Sequence, residues 1–178
     1  MNKLLIAVAV ASVIGSVDVA NADGLHHTVS VGYAQTDAKI LGTSNQMPGV
    51  NLKYHWEEPD SGVGVIGSFA YTKKNLSNDD ASGKLTYYSV TAGPSYRFND
   101  YVNIYALLGM AYGKIEAESE YASAWESKTA FAYGAGVQVN PIENVAIDAS
   151  YVYTQFSNEY GGDNIDAGTW MLGVGYRF

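Results

Sequence analysis

The residues with the most chemical potential are Lys53, His55, Glu57, Arg97, Asp148 and Arg177, with Tyr87, Tyr105, Gln138 and Ser150 available as hydrogen-bond partners. Groups of these types support ion pairing, proton relay or nucleophilic attack. His55, Asp148 and Ser150 have the residue types of a nucleophilic triad. A catalytic group also needs reach to a substrate, however, and no G-x-S-x-G motif is present. The adjacent His26 and His27 lack further spaced metal ligands. Asp163-Asn164-Ile165-Asp166 lacks the glycine and closing glutamate of a calcium loop. No catalytic residue, metal site or cofactor is assigned on these grounds.

Every one of the six charged residues lies in a run of alternating character. In the last eleven residues, Trp170, Leu172, Val174, Tyr176 and Phe178 alternate with Thr169, Met171, Gly173, Gly175 and Arg177. That is a strand with one bulky and one small face. Seven similar runs precede it, near residues 28–36, 50–57, 63–72, 85–98, 102–113, 131–139 and 145–154. In the second, Val50, Leu52, Tyr54 and Trp56 oppose Asn51, Lys53, His55 and Glu57. Small and polar residues suit the cramped interior of an eight-stranded barrel, and a bulky apolar face suits lipid. A soluble barrel would invert the faces and crowd the Tyr and Trp side chains into one cavity, which their volume overfills. Charges enclosed in so narrow a lumen are expected to pair with one another, leaving no open channel.

Residues 1–22 read as a secretory signal, with Lys3, an apolar run over residues 4–17 and the cleavage pattern Ala20-Asn21-Ala22. The mature chain is expected to begin at Asp23 and to form one domain over 23–178. No later run is long and apolar enough for a membrane helix, so insertion must use strands. With 15 Tyr, 19 Gly, no Cys and 47% hydrophobic residues, the mean hydropathy is only -0.08. Alternation hides apolar content from such an average. The formal net charge of -8 argues against nucleic acid as a partner.

The connections between runs alternate in length. Residues 58–62, 99–100 and 141–144 form short links, while 37–48, 74–84, 116–127 and 156–166 form long ones. The expectation is an antiparallel up-and-down transmembrane β-barrel with short periplasmic turns, four longer extracellular loops and both termini periplasmic. It is read as a monomer in the bacterial outer membrane. Pro94 falls mid-strand, where its missing N–H predicts a bulge or local gap. Lys39, Lys73, Lys74, Lys84, Lys114 and Lys128 all lie in or beside the long links and are candidate contacts for lipopolysaccharide phosphates. Toward the loop tips, Asp79, Asp80, Glu118, Tyr121, Trp125 and Tyr160 combine acidic and exposed aromatic character and are candidate partner-binding residues.

Several stretches resemble one known family. Ser30-Val31-Gly32-Tyr33-Ala34-Gln35, Asn51-Leu52-Lys53-Tyr54, Gly64-Val65-Ile66-Gly67-Ser68-Phe69, Thr91-Ala92-Gly93-Pro94-Ser95-Tyr96-Arg97 and Tyr133-Gly134-Ala135-Gly136-Val137-Gln138, together with the closing strand, are similar to the Ail/OmpX family of enterobacterial outer-membrane proteins. Ser127-Lys128-Thr129 and Gly168-Thr169-Trp170-Met171-Leu172-Gly173 look nearer its attachment-invasion branch. The resemblance implies a barrel without enzymatic activity. It implies partners among host matrix or complement-regulating proteins, with adhesion, invasion and serum resistance residing in the outer loops, or else a role in envelope stress. Residues 74–84 and 116–127 show no clear motif match, so no ligand contact is carried over.

Overall fold

Alternating small and bulky residues fold here as eight strands: β1 (His26–Ile40), β2 (Thr43–Glu57), β3 (Val63–Asn78), β4 (Ala81–Asn99), β5 (Val102–Ser119), β6 (Ala122–Ile142), β7 (Val145–Phe156) and β8 (Ile165–Arg177). A computed structural model describes residues 24–40, 43–78, 81–119, 122–156 and 165–178. The expected signal segment, residues 1–22, lies outside them. Each strand pairs antiparallel with its sequence neighbour, and β8 closes on β1.

The interstrand registers define how far the barrel is sheared. Partners traced from Ser30 through Lys53, Ser68, Thr91, Gly109, Ala132, Thr154 and Ala167 return to β1 at Ala38, eight residues on from the start. Eight strands with a shear of eight tilt by about 36° and leave an interior that side chains fill. The bulky faces point outward as expected: Leu52, Tyr54, Trp56, Val90, Leu108, Tyr133, Trp170 and Leu172 are all exposed. This excludes the inverted, soluble arrangement. Inside, Leu107, Val152, Met171 and Tyr87 pack in the half nearer the long hairpins, while Ile66 lies lower, opposite His55.

The strands run further than alternation of apolar residues suggests. Residues expected as loops over 37–48, 74–84 and 116–127 are mostly strand, paired as far as Ile40 opposite Thr43, Asn78 opposite Ala81 and Ser119 opposite Ala122. Lipid imposes an apolar face only within its own thickness, so strands in water lose that signal while keeping their hydrogen bonds. β6 has 21 residues, roughly 70 Å at about 3.3 Å each, nearly twice what a membrane strand of about 11 residues needs. β7, with 12 residues, does little more than span.

At the opposite end the turns are tight. Gly62, at φ 67, makes the left-handed step that lets its N–H bond Glu58 O at 2.9 Å and its own carbonyl accept from Arg97 N at 2.8 Å. Asn99 Oδ1 accepts from Tyr101 N and Val102 N at 2.9 Å each, closing the next turn. At Pro94 the expected gap is present. β4 and β5 pair at Ala92 opposite Leu108 and again at Ser95 opposite Tyr105, with no pairing at Gly93 and Pro94 between them. The register is unchanged across that gap and shifts instead between Arg97 and Asn99.

A closed barrel of this kind should migrate differently in detergent gels before and after boiling. Leu107→Ala removes a fully buried side chain and should lower unfolding stability by about 2–4 kcal/mol, read as a lower urea midpoint in micelles while the unboiled band persists.

Candidate functional site

Of the polar groups singled out in the sequence, the interior brings seven together in the half nearer the short turns. Lys53 on β2 reaches across the lumen to Asp148 and to Ser150 Oγ at 2.7 Å, both on β7, and to Tyr105 Oη on β5 at 3.2 Å. Tyr105 donates in turn to Asp148. Nearer the mouth, Glu57 lies 3.2 Å from Arg177 Nη2 and 3.4 Å from Arg97 Nη1. His26 joins them, bonded through Nδ1 to Arg177, and Arg97 also donates to the Pro59 carbonyl. Lys53, Glu57 and Asp148 are each 2% exposed or less.

The imagined triad is not assembled. His55 Nε2 bonds Ser95 Oγ at 2.7 Å, while Asp148 and Ser150 are both taken by Lys53. These groups are enclosed, so no substrate reaches them. The arrangement is a polar plug whose charges neutralise one another. Ser95 as the histidine partner, and the hydroxyl chain from Thr72 to Thr36 at 2.9 Å and Thr36 to Thr169 at 2.8 Å, were missed from sequence. Their inward parity was readable, but their height along the barrel was not.

The six lysines lie on strands rather than in loops. Lys39, Lys73, Lys84 and Lys114 share the outward alternation, whereas Lys74 and Lys128 fall on the inward one. The outward set is uneven around the wall. On β3, β4 and β5, Tyr71, Tyr88 and Tyr112 stand in register with ring centroids 4.9 and 6.4 Å apart. The next outward row is Lys73, Thr86 and Lys114. Above it Glu116 accepts from Lys114 at 2.7 Å and Lys84 at 3.1 Å. The hydrogen bond from Lys114, then that from Lys84, holds the Glu116 carboxyl below its usual range. This clasp therefore persists through neutral pH and is lost only as the solution falls below the ordinary carboxylate range. On the far wall Lys39 stands opposite Asp166, which accepts from Tyr153 Oη at 2.7 Å and Gln155 Nε2 at 3.1 Å.

Among the candidate partner-binding residues, Asp79, Asp80, Tyr121 and Tyr160 lie outside the described residues. Glu118 falls on β5 and Trp125 on β6 near the tip of one long hairpin, with side chains that are likewise outside the description.

Breaking the central pair tests the plug. Lys53→Met or Asp148→Asn alone should destabilise by about 3–5 kcal/mol, whereas the double variant Lys53→Met, Asp148→Leu should recover most of the loss, because the uncompensated charge and not the missing bond is the main cost. Urea unfolding in micelles reads both.

Comparison with known proteins agrees with this architecture. The model of the outer membrane protein beta-barrel domain matches residues 5–178. The attachment invasion locus protein of Yersinia enterocolitica is 45% identical over 100% of both chains, and outer membrane protein X of Enterobacter cloacae is 42% identical over 100% of both. Virulence membrane protein PagC of Salmonella typhimurium is 34% identical over 99% of each. The crystal structure of Ail from Yersinia pestis, in complex with the heparin analogue sucrose octasulfate, superposes with a TM-score of 0.79 at 45% identity, covering 86% of this chain and 99% of that one. Full-length similarity, the closed eight-stranded wall and its lipid-facing belt together mean that this chain belongs to the Ail/OmpX family of bacterial outer-membrane β-barrel proteins.

Proposed function

We propose that the chain is a non-enzymatic surface protein that attaches to host cells or matrix, promotes invasion and resists complement through its extracellular hairpins. The observation that carries this reading is the length of β3 to β6. These strands hold more residues than the membrane needs and lift paired hairpins well clear of it. The lumen offers no competing site, being occupied by residues that bond one another. Relatives named for attachment, invasion and virulence support the same reading. Host matrix or complement-regulating proteins are the partner class, and Asp79, Asp80, Glu118, Tyr121, Trp125 and Tyr160 are the proposed contacts at the tips.

Replacing residues 79–80 and 118–125 with neutral linkers should abolish adhesion of expressing cells to host cells, with the boiling-dependent gel shift intact. Undiminished adhesion by a variant that still assembles would overturn the reading.

A second role, binding of lipopolysaccharide in the outer leaflet, is favoured by the lysine row above the tyrosine belt. An ammonium group one row above an aromatic girdle stands where lipid phosphates lie. The Yersinia pestis protein has been crystallised with a polysulfated ligand and studied in a bilayer nanodisc. Lys73, Lys84 and Lys114 are the proposed contacts on this wall, with Lys39 on the other; Lys74 and Lys128, on the inward alternation, are less suited. Lys73→Gln, Lys84→Gln and Lys114→Gln together should weaken co-sedimentation with lipopolysaccharide and raise detergent sensitivity of cells. Neither effect appearing would remove lipid bridging as a role.

A further inference from the structure

Three buried amides in the lumen carry polar atoms that no described residue satisfies. Asn51 and Asn103 are each 1% exposed and Asn140 is 3% exposed. Among the described residues, Asn51 Nδ2 and Oδ1, Asn103 Nδ2 and Oδ1, and Asn140 Nδ2 have no hydrogen-bond partner. At such depth an unmade bond costs more than a made one contributes, so these atoms mark places where a ligand belongs.

The surroundings show why the wall itself does not satisfy them. Asn51, on β2, stands opposite Gly32 on β1 and Ala70 on β3, neither of which has a polar side-chain atom. Its Oδ1 occupies ground that a glycine leaves open, since a Cβ on Gly32 would lie 2.7 Å from it. The diagonal neighbour is Ser68, whose hydroxyl makes a weak 3.9 Å contact with Met171 Sδ. Asn103, on β5, stands opposite Arg97 and Gln138. Arg97 is turned to Glu57 and the Pro59 carbonyl, and Gln138 Nε2 donates to Asn140 Oδ1 at 3.1 Å. Asn103 and Asn140 are thus diagonal neighbours, roughly 7–8 Å apart along the wall, a gap that one small molecule bridges. Space is present beside them, because β6 leaves its register with β7 between Val139 and Ile142 and the adjoining buried residue on β7 is only Ala146.

We propose that the lumen holds two internal water sites, one at Asn51 and Ser68 and one bridging Asn103 to Asn140. The identity of the ligand follows from the atoms. Asn51 and Asn103 each leave both a donor and an acceptor unspent, so the occupant must accept and donate. An anion meets Nδ2 but is repelled by Oδ1, and a cation does the reverse; near Arg97 and Arg177 a cation is also opposed by charge. Water does both, and the polar atoms at each site are as many as a buried water uses. The upper site has a structural consequence. Asn51 lies two residues from Lys53 on one side and two from Gly49, the partner of Thr72, on the other. Water there joins the Lys53 cluster to the Thr36, Thr72 and Thr169 hydroxyls, which side chains alone leave apart.

The test is NMR on the mature, nitrogen-15-labelled chain in nanodiscs, with the three side-chain amides assigned through their own backbones. Those of Asn51 and Asn103 should show cross-peaks to water in laboratory-frame and rotating-frame Overhauser spectra, opposite in sign, as held water gives. Asn103→Leu should remove the water cross-peak at Asn140 and leave that at Asn51, because the sites are separate. Asn51→Leu should leave the urea midpoint unchanged or lower it, since the leucine displaces a bonded water; a dry amide would instead be relieved and the midpoint would rise. Absence of water cross-peaks at Asn51 and Asn103, or a raised midpoint in Asn51→Leu, would overturn the proposal. So would a saturable shift of the Asn103 and Asn140 signals on adding bromide, which would make the lower ligand an anion.

Discussion

Closure of the backbone hydrogen-bond ladder is the constraint from which the rest of this protein follows. In hydrocarbon an unpaired N–H or C=O has no water to turn to, so a sheet that spans the membrane must close on itself. Eight strands sheared by eight residues satisfy that requirement with a narrow wall. The inward alternation is then largely small or self-satisfied, the buried amides of Asn51 and Asn103 being exceptions. Ala34, Ala70, Ala111 and Ala132 meet the first condition, and the Thr36, Thr72 and Thr169 hydroxyls meet the second. Among the described residues the ladder is interrupted at Gly93 and Pro94, where it resumes in the same register, and it shifts register beside the short turns between Arg97 and Asn99 and between Val139 and Ile142.

The same narrowness decides what the charged residues do. Moving a lone carboxylate or ammonium out of water costs on the order of 20 kcal/mol by simple Born arguments and still several after relaxation. A lone charge in the lumen would therefore not be tolerated, and a set with matched partners would. Lys53 with Asp148, and Glu57 with Arg97 and Arg177, form such sets. Above them Leu107, Val152 and Met171 fill the bore with hydrocarbon. A lumen packed in this way is structural, and recognition is displaced to the part of the chain outside the lipid.

Within the membrane the sequence was legible almost residue by residue, because lipid enforces period-two alternation on every strand. Trp170, Leu172, Val174 and Tyr176 face out, and Met171, Gly173, Gly175 and Arg177 face in, as their spacing implies. Parity says which groups share the lumen but says nothing of their height. His55 and Asp148 both point inward, yet one bonds Ser95 and the other Lys53, a choice set by interstrand register. Likewise Lys74 and Lys128 looked equivalent to Lys73 and Lys114, and alternation counted up from the barrel separates them. The long hairpins were illegible for the opposite reason. In water neither face of a strand need be apolar, so residues 37–48 and 116–127 carry no periodic signal although they are mostly strand.

Closure is obligatory only as far as the lipid reaches, and the wall is seen to relax where that obligation ends. Beyond the belt formed by Tyr71, Tyr88 and Tyr112, the β2–β3 and β6–β7 ladders stop while the four strands between them continue. Pairing that was forced below becomes optional above, where water satisfies an exposed edge at little cost. The residues flanking the two breaks differ: Pro48, Lys73 and Lys74 stand at one, and a run without proline from Ala122 to Phe131 at the other. The unevenness of the lysines, gathered above the tyrosines of β3 to β5 but matched by Asp166 near Lys39, gives the barrel a sided outer rim. The projecting sheet rises from the cationic side of that rim. A barrel whose lower wall can vary little thus concentrates its chemical individuality in one sheet, on one side, at the height where the membrane no longer dictates the pattern.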